Sequence, residues 1–572
     1  MLSLNCHCNT NIRGYGRIIS NYFSEGIKPF TVMIREILKS IRMRTSHVSR
    51  IATRYQRLVL YGLDLVLWSR LLSSRRGPIP LELPHSLLKI KTIHCDPPAL
   101  FVADVNSDLS HWEEGFRAVY SNVFLNLQTP DVISEIRYAH PAPSFKGVYL
   151  WDSAFTAQVW KHWDSEVAYD VNRAVINLRD GDRLQHVVSS FSQSAYTQPP
   201  VMAWSCMELL DWQSHLTKTE FRENIYQPLK DYHHWLYNHR QHENGLFFWA
   251  HPYESGIDNS PRFSTRDESK FADTTHLASP DLCSYIVLQN ESLAKMAEYI
   301  GQQDAVHEHL QKASQLSERM NEFLWDETDK FYYDLNLKSG EFVRSQTIAG
   351  LLPMWAGVPD QSQAEALRQL VLNPECFNTR IPLPTVSRED PDFAKDMWRG
   401  PVWINTAYAV ILAMERYGYR EEVAELSYRL CEGVYRTFQN LRRFYEFYDP
   451  ERFDLEELNR KKGNRFKHLT LGSKPVKEFV GWTGLINPLV IEQLIGLKSD
   501  HGQLLLSPNF PAIMRGKGFS LRLPERKLCI YVEVLINGDY QCQIYDQDGL
   551  FNCDLKSGES YDFQNRRIIS DE

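Results

Sequence analysis

The sequence contains no apolar run long enough to cross a membrane. The apolar stretch 58–72 (LVLYGLDLVLWSRLL) falls short of the roughly 20 residues that a spanning helix needs, and it contains Asp64 and Arg70. A secretory signal would place its apolar core near the first residue, followed by small residues, and this pattern is also absent. The sequence therefore predicts neither a spanning segment nor a signal peptide, and we expect a cytoplasmic protein.

Paired cysteines and metal-binding motifs are also scarce. The ten cysteines are scattered, and Cys6 and Cys8 form the one close pair, with no second pair nearby to complete a zinc site. Five histidines lie between residues 233 and 251, but no HExxH spacing occurs among them, so we interpret them as packing or solvated side chains. We expect a reduced intracellular compartment, no bound metal and no cofactor.

Charge is unevenly distributed along the chain. The net charge of −8 argues against nucleic acid as a partner, yet residues 1–77 carry thirteen basic against three acidic residues, a net charge of +10. The remainder carries 50 basic against 68 acidic residues, a net charge of −18. The basic segment predicts a helix on an anionic membrane surface, an organelle address, a poorly ordered extension, or helices that pack on the main body. Nothing in the sequence indicates the oligomeric state.

Helical patterns follow from about residue 85 to 497, and short alternating strands come after them. Helices are predicted at 108–127, 152–163, 200–214, 219–240, 281–299, 302–324, 361–371, 400–417, 419–437 and 482–496. Asn537-Gly538 and Asp548-Gly549 are turn signals between the later strands. About a dozen helices in one body are typical of a toroid of helical hairpins. We therefore predict a basic extension (1–85), a mainly α toroid (86–500) and a small β domain (501–572).

Several loops combine aromatic rings with carboxylates, amides or guanidinium groups. These are 147–153 (GVYLWDS), 196–204 (YTQPPVMAW), 251–263 (HPYESGIDNSPRF), 397–405 (MWRGPVWIN), 444–450 (FYEFYDP) and 478–484 (EFVGWTG). Sugar rings need this mixture, because their C–H faces stack on aromatic planes while their hydroxyl groups need polar partners. Core packing does not explain so many charged groups, which are rarely buried without partners. The loops therefore indicate a carbohydrate site.

Glycoside hydrolysis needs two carboxyl groups, one on each side of the scissile bond. The loop 251–263 contains Glu254 and Asp258, and Asp258 follows a turn at Gly256 that could direct it into a cavity. A carboxyl group buried among aromatic rings is raised in pKa, as a general acid requires. Glu446 lies among aromatic residues and is our first choice for the second carboxylate; Glu478, four residues before Trp482, is its rival.

The run HPYESGIDNSPR resembles the corresponding loop of glycoside hydrolase family 63 and its bacterial mannosylglycerate and glucosylglycerate hydrolase relatives. The motifs YLWDS, TQPP, WRGPVW, FYEFYDP and GWTG occur in the family's order across residues 147–490. The resemblance implies an (α/α)6 barrel and an inverting α-glycosidase, with Asp258 as general acid and Glu446 as general base. It also implies a sugar subsite, and with the neighbouring loop residues the predicted substrate-binding set is Tyr149, Trp151, Asp152, Gln198, Tyr253, Asn259, Arg262, Trp398, Arg399, Trp403 and Trp482.

The resemblance leaves the substrate open. Tyr253 and Phe263 stand where relatives usually have Trp, and the aglycone site is affected by both changes. We expect a small α-glucoside or α-mannoside such as glucosylglycerate or mannosylglycerate, with Arg262 and Arg266 either meeting a substrate carboxylate or only bracing the loop. Trehalase or oligosaccharide α-glucosidase activity is the alternative; a non-hydrolytic sugar-binding protein, or a lyase or epimerase, would belong to another class. A small carbohydrate is the expected partner in each case.

Overall fold

The computed structural model describes residues 79–103, 109–190, 193–213, 215–263, 273–460, 471–500 and 502–570. The predictions made for the basic segment 1–77 and for Arg266 fall outside these residues. The described part of the chain is mainly helical, with several small antiparallel sheets.

The α-helices of the described residues are numbered here in chain order. They are α1 (His85–Ile90), α2 (Ser110–Asn126), α3 (Leu150–Trp160), α4 (Ser165–Asn177), α5 (Met202–Trp212), α6 (Lys218–Phe221), α7 (Gln227–Arg240), α8 (Pro280–Tyr299), α9 (Gln303–Phe323), α10 (Leu352–Trp355), α11 (Gln361–Leu372), α12 (Ile404–Arg416), α13 (Arg420–Leu441) and α14 (Ile486–Pro488). A π-helical segment (Arg222–Tyr226) joins α6 to α7, and 3-10 helix Ile348–Leu351 precedes α10. A 3-10 helix (Thr483–Leu485) and a π-helical segment (Leu489–Leu494) flank α14.

Six of these helical segments contact one another in a closed ring. Helix α3 contacts α5, α5 contacts α8, α8 contacts α10, and α10 contacts α12. The ring closes because the 3-10 helix Thr483–Leu485 contacts both α12 and α3. Other helices pack outside the ring: α4 on α3 and α5, α9 on α8, and α13 on α12. The chain therefore alternates between an inner and an outer layer of helices.

Burial distinguishes the two layers. All eleven residues of α3 are buried, as expected for a helix that is surrounded on every side. Helix α9, by contrast, buries one stripe, formed by Ala305, His309, Ala313, Leu316 and Met320, at spacings of three or four residues. One apolar face at this spacing is typical of a helix that packs on a core and faces solvent on its other side.

The sequence prediction lacks one helix of the ring, α10, and one helix of the outer layer, α4. Helix α4 was omitted although Asp164 caps its first turn, its side chain accepting from the Val167 backbone N–H at 3.0 Å. Helix α10 is short and lies in a continuous apolar run that contains Gly350 and Pro353. Glycine and proline obscure a helical pattern, and a short apolar run does not distinguish a buried helix from a buried strand.

Eighteen short strands complete the described structure. They are β1 (Ala99–Ala103), β2 (Leu127–Gln128), β3 (Tyr138–Ala139), β4 (Val148–Tyr149), β5 (Val187–Val188), β6 (Leu277–Ala278), β7 (Trp325–Asp326), β8 (Phe331–Tyr332), β9 (Asp334–Asn336), β10 (Phe342–Val343), β11 (Leu497–Asp500), β12 (Gln503–Leu506), β13 (Gly518–Leu523), β14 (Leu528–Val534), β15 (Tyr540–Asp546), β16 (Gly549–Leu555), β17 (Glu559–Asp562) and β18 (Arg567–Ser570). The two turn signals named above lie at the β14–β15 and β15–β16 connections, as predicted.

The sheets near the carboxyl terminus include a strand from much earlier in the chain. Five strands pair antiparallel in the order β1-β13-β14-β15-β16, and four others in the order β11-β12-β17-β18. The sequence did not reveal that β1 pairs with β13 along its whole length, because more than 400 residues separate them. Strands therefore occur on both sides of the boundary predicted at residue 500.

The β13–β14 turn rests on the helices. The side chain of Glu525 accepts hydrogen bonds from the backbone N–H and the hydroxyl of Ser165, at 2.9 and 2.7 Å. The guanidinium of Arg526 lies 3.9 Å from the ring centroid of Trp212. A charge-assisted contact and a cation–π contact thus join the five-stranded sheet to the helices, at the start of α4 and the end of α5.

None of the helices formed by the described residues is both long and apolar enough to cross a membrane. In the same part of the chain, no group of three or more His, Cys, Asp or Glu side chains could hold a metal ion.

Candidate functional site

The aromatic loops singled out in the sequence lie beside the beginnings of ring helices. The motif at 147–153 leads into α3, 196–204 into α5, 397–405 into α12, and 478–484 into the 3-10 helix that closes the ring. These loops are neighbours at one end of the ring, because Trp151 contacts Gln198, Trp398 and Trp482.

Four of the predicted tryptophans form a single cluster at this end. The ring centroid of Trp151 lies 6.1 Å from that of Trp398 and 5.4 Å from that of Trp482. Trp403 stacks on Trp398 at 3.6 Å and lies 5.4 Å from Trp482. The structure therefore brings together aromatic rings from three separate loops, and all four side chains are largely buried where these loops meet.

The loop at 251–263 packs directly against this cluster. Gly256 has a positive φ of 74°, and a Cβ atom at this position would lie 2.4 Å from the Trp151 ring. Only glycine satisfies both the backbone conformation and the close approach. Asp258 follows two residues later and is partly exposed.

The other carboxylate of this loop has a bracing role. Glu254 is fully buried and accepts hydrogen bonds from Arg240 Nε at 2.9 Å and Nη2 at 2.6 Å. It also accepts from the Ala250 backbone N–H at 2.9 Å. Glu254 therefore anchors the loop to the end of α7, and Asp258 is the loop carboxylate placed nearer to solvent.

Asn259 connects this loop to the tryptophan loop. Its Oδ1 accepts from the Trp398 backbone N–H at 2.9 Å, and its Nδ2 donates to the Asp396 carbonyl at 3.2 Å. Both ends of the amide thus contact the tryptophan loop, at residues 396 and 398, so Asn259 joins the two loops; the direct substrate contact predicted for it stays a prediction.

Glu446 lies at the same end of the ring and is buried. Its backbone carbonyl accepts a hydrogen bond from Trp482 Nε1 at 3.0 Å, so it borders the tryptophan cluster. Its carboxylate is paired with Arg460, whose Nε is 2.8 Å from Oε2 and whose Nη2 is 3.0 Å from Oε1. The rival Glu478 is also buried, but it is paired with Arg443 and accepts from Asn122 Nδ2 at 3.1 Å.

Asp152 is a second buried carboxyl group beside Glu446. It lies in the first turn of α3, with only 4% of its surface exposed. Burial raises the pKa of Asp152 well above its usual range; hydrogen bonding to its own backbone opposes this, and the negative charge of Glu446 raises it further. The structure therefore places two carboxyl groups close enough to interact at the edge of the tryptophan cluster.

Gln198, Tyr253 and Tyr149 surround a residue that the sequence analysis did not select. Gln198 Oε1 accepts from the Trp151 backbone N–H at 3.2 Å, and its Nε2 lies 2.9 Å from His186 Nε2. The Tyr253 ring stacks on His186 at 3.9 Å, and the Tyr149 ring meets His186 edge-on at 6.1 Å. His186 thus connects three predicted site residues.

The two predicted basic site residues lie in different surroundings. Arg262 is fully buried, and its Nη1 lies 3.0 Å from Asp281 Oδ1 and 3.2 Å from Asp334 Oδ1. Its guanidinium is held by two aspartates, which favours the bracing role over contact with a substrate carboxylate; the sequence leaves both roles open. The Arg399 side chain is 22% exposed and pairs with Asp392 at 2.7 Å.

Arg460 and His186 are the main residues that the sequence analysis did not identify. Arg460 follows Glu446 by fourteen positions on an irregular stretch, and His186 precedes a two-residue strand. Neither belongs to a motif in which its residue type would indicate a role. Their contacts depend on how distant loops meet at the end of the ring.

A family model described as "Mannosylglycerate hydrolase MGH1-like glycoside hydrolase domain" matches residues 146–468. A mannosylglycerate hydrolase of Thermus thermophilus is 27% identical over 375 residues, which cover 53% of this chain and 88% of that protein. Mannosylglycerate hydrolase MGH1 of Selaginella moellendorffii is 25% identical over an alignment that covers 55% of this chain and 78% of that protein. A mannosyl-oligosaccharide glucosidase of Saccharomyces cerevisiae is 23% identical over an alignment that covers 43% of this chain and 30% of that protein.

Solved structures show a similar fold. A GH63 mannosylglycerate hydrolase of Thermus thermophilus, in complex with glucose, superposes with a TM-score of 0.53 and 24% identity over 64% of this chain and 98% of that chain. A protein titled "Sialidase" superposes with a TM-score of 0.59 and 14% identity over 87% of this chain and 44% of that chain.

Proposed function

Because the chain belongs to the MGH1-like glycoside hydrolase family and is a glycoside hydrolase, we propose that it is an inverting α-glycosidase. Its proposed substrate is a small α-glucoside or α-mannoside such as glucosylglycerate or mannosylglycerate. The observation that carries this proposal is the tryptophan cluster, with Asp258 and Glu446 on the loops that border it.

The proposed scaffold is an (α/α)6 barrel. Its support is the closed ring of helical segments with a second helical layer outside it, and the fold similarity to the Thermus structure. In such a barrel the amino-terminal loops of the inner helices surround a cavity. The strands near the carboxyl terminus would form the accompanying small β domain, which β1 would complete from the amino-terminal side.

In the proposed reaction Asp258 donates a proton to the glycosidic oxygen, and Glu446 removes a proton from the attacking water. Asp258 is supported by its position in the loop against Trp151 and by the use of Glu254 as the anchor of the same loop. Glu446 is supported by its border with Trp482 and by the burial that excludes bulk water from its carboxylate.

The tryptophan cluster would bind the sugar ring, and Asp152 would bind its hydroxyl groups. Asp152 is buried at the edge of the cluster, and its carboxyl oxygens can accept hydrogen bonds from sugar hydroxyl groups. For the carboxylate of a glycerate aglycone we propose Arg399, the predicted basic site residue that retains exposed surface and adjoins Trp398.

The second candidate is an oligosaccharide α-glucosidase or trehalase. The match to the yeast mannosyl-oligosaccharide glucosidase supports it, as does a periplasmic trehalase of Escherichia coli that is 22% identical over 54% of this chain and 63% of that protein. A purely sugar-binding protein is a weaker alternative, because it would have no need for carboxylates on both bordering loops.

A substrate panel tests the proposal. Purified protein is incubated with glucosylglycerate, mannosylglycerate, trehalose and an α-glucosyl oligosaccharide, and free glucose or mannose is measured against Asp258→Asn protein as a blank. We expect release from a glycosylglycerate and little from the longer substrate. Cleavage of the oligosaccharide while both glycosylglycerates are ignored would contradict the substrate assignment and favour the second candidate.

A further inference from the structure

We propose that Arg460 is a positioning residue for the general base: it holds the Glu446 carboxylate by both oxygens and leaves Oε1 as the atom that takes the proton from water. This inference rests on the proposed function, because it assumes that Glu446 is the base. Arg460 is not one of the residues that the sequence motifs select, and no role for it follows from them.

The contact between the two side chains is bidentate and buried. Arg460 Nε donates to Oε2 at 2.8 Å and Nη2 donates to Oε1 at 3.0 Å, and each side chain is only 3% exposed. Two parallel bonds from a planar guanidinium fix both the position and the rotation of a carboxylate. A single bond would fix its position alone. Arg460 therefore fixes the orientation of the Glu446 carboxylate plane.

The two carboxylate oxygens are not equivalent. Oε2 accepts from Arg460 Nε and also lies 3.3 Å from the Val476 backbone N–H. Oε1 accepts from Arg460 Nη2, its single hydrogen-bond donor within the described residues. An ionised carboxylate has about four lone-pair sites, two on each oxygen. Oε1 therefore retains the acceptor position that a water molecule needs, while both positions on Oε2 have protein donors.

A neighbouring pair provides a natural comparison. The backbone segments around residues 445 and 477 run antiparallel, so that Glu446 N–H donates to the Val476 carbonyl and Glu478 N–H donates to the Phe444 carbonyl. Each segment thus presents one glutamate with its own arginine, Arg460 for Glu446 and Arg443 for Glu478. Glu478 also accepts from Asn122, a helix residue of α2. The Arg443 pair therefore serves as a structural control for the Arg460 pair.

In the reaction, the water oxygen forms a bond to the anomeric carbon while one water proton passes to Glu446 Oε1. The bond from that carbon to the aglycone oxygen breaks, and the aglycone leaves with the proton of Asp258. Arg460 remains a cation throughout and exchanges no proton, since guanidinium groups are not deprotonated in proteins. Its contribution is geometric, because a displacement of about 1 Å of a reacting group can cost on the order of 10²-fold in rate.

The test compares Arg460→Ala, Arg460→Lys and the control Arg443→Ala with the unaltered enzyme on a glycoside that it cleaves. Lysine keeps the charge but cannot form the two parallel bonds. We expect Arg460→Ala to lower kcat on the order of 10²-fold, with KM changed only a few-fold. The kcat of Arg460→Lys should lie between those of Arg460→Ala and the unaltered enzyme. Added guanidinium ion should restore part of the kcat lost by Arg460→Ala, which a purely structural role would not permit. Arg443→Ala should retain kcat and gain nothing from guanidinium.

Circular dichroism and thermal unfolding establish which variants are folded. If Arg460→Ala does not fold, Arg460→Lys becomes the deciding variant. Unchanged kcat in a folded Arg460 variant, or equal losses in Arg460→Ala and Arg443→Ala without guanidinium rescue, would overturn the positioning role. Glu446→Gln separates this outcome from failure of the base assignment: if Glu446→Gln keeps full activity, Glu446 is not the base. If Glu446→Gln is inactive while Arg460→Ala is fully active, only the role of Arg460 is lost.

Discussion

Arg240 donates two hydrogen bonds to Glu254, from Nε at 2.9 Å and from Nη2 at 2.6 Å, and thereby anchors the loop that contains Asp258. The loop has two carboxylates in sequence, but the structure uses them differently. Glu254 is fully buried within its ion pair, whereas Asp258 is partly exposed next to the tryptophan cluster. This difference supports our proposal that Asp258, and not Glu254, is the general acid.

The first prediction concerns the two proposed catalytic carboxylates. Asp258→Asn removes the proton for the leaving group and Glu446→Gln removes the acceptor for the water proton, so each should lower kcat by a factor on the order of 10²–10⁴. Glu478→Gln is the matched control, because Glu478 is buried on the adjoining segment and should retain near-full activity if it folds. Steady-state kinetics measure all three. Full activity in Glu446→Gln together with loss in a folded Glu478→Gln would exchange the two roles.

A second prediction is stereochemical. Inversion requires room for a water molecule between the sugar and the base, so the carboxyl groups of Asp258 and Glu446 should lie about 6.5–9.5 Å apart. The newly released sugar should then be the β anomer from an α-glycoside, as followed by proton NMR before mutarotation. An α anomer as the first product would contradict the inverting mechanism.

A third prediction concerns the buried ion pairs of Arg262. Burial raises the pKa of Asp334 to about 6, and the positive charge of Arg262 opposes this rise. Removing it in Arg262→Ala leaves buried charge uncompensated and should lower the free energy of unfolding by roughly 3–5 kcal/mol. Arg319→Ala, which breaks an exposed pair with Glu322, should cost at most about 1 kcal/mol. Urea denaturation measures both; equal small losses would show that the Arg262 pair contributes little.

A fourth prediction uses two buried histidines. Burial, with the nearby Lys312 as a smaller cause, lowers the pKa of His309 to about 4, and burial also lowers the pKa of His233. The unfolded chain therefore binds protons that the folded chain does not, and stability should fall as the pH drops from about 6.5 toward 4.

The free energy of unfolding, measured in urea at several pH values across this range, checks the prediction. His309→Gln, which keeps a polar side chain that does not titrate, should reduce the slope. His307→Gln changes an exposed histidine of the same helix and should leave the slope unchanged. A slope unaffected by His309→Gln would remove this histidine as a cause.

The fifth prediction concerns the basic amino-terminal segment. Its net charge of +10 would attract either the body, whose net charge is −18, or anionic lipid, to which each basic residue near the surface contributes about 1 kcal/mol. Attraction to the body would weaken with salt, over a Debye length of about 8 Å at physiological ionic strength. Neither partner involves the proposed catalytic carboxylates, so deletion of residues 1–77 should leave hydrolysis of a small substrate largely intact.

Truncated and full-length proteins are compared for activity and for sedimentation with anionic vesicles. Lost activity with an unchanged circular dichroism spectrum would show that the segment helps to build the site. Equal sedimentation of both forms would exclude lipid as its partner.

The sequence by itself determined the mainly helical architecture and the aromatic loops in which we propose the site. Helices such as α2 and α8 follow from local periodicity, and the loops follow from residues whose chemistry is local, such as Gly256 and its positive φ. Short elements within long apolar runs, such as α10, were not recognised because helix and strand share that pattern. These features depend on neighbours in the chain, which a sequence displays directly.

Only the tertiary structure decided which charged side chains are buried in ion pairs within the protein and which keep exposed surface. Arg262 and Arg399 both lie in aromatic loops and are both predicted to bind substrate. Arg262 is fully buried between two aspartates, whereas Arg399 keeps exposed surface. The partner of Glu446 is likewise Arg460, and not its near neighbour Arg443, which pairs with Glu478. Ion pairs and burial depend on distances between atoms that the chain brings together only when the ring closes. Local residue patterns do not contain those distances, and for that reason the roles of these charged groups became visible only in three dimensions.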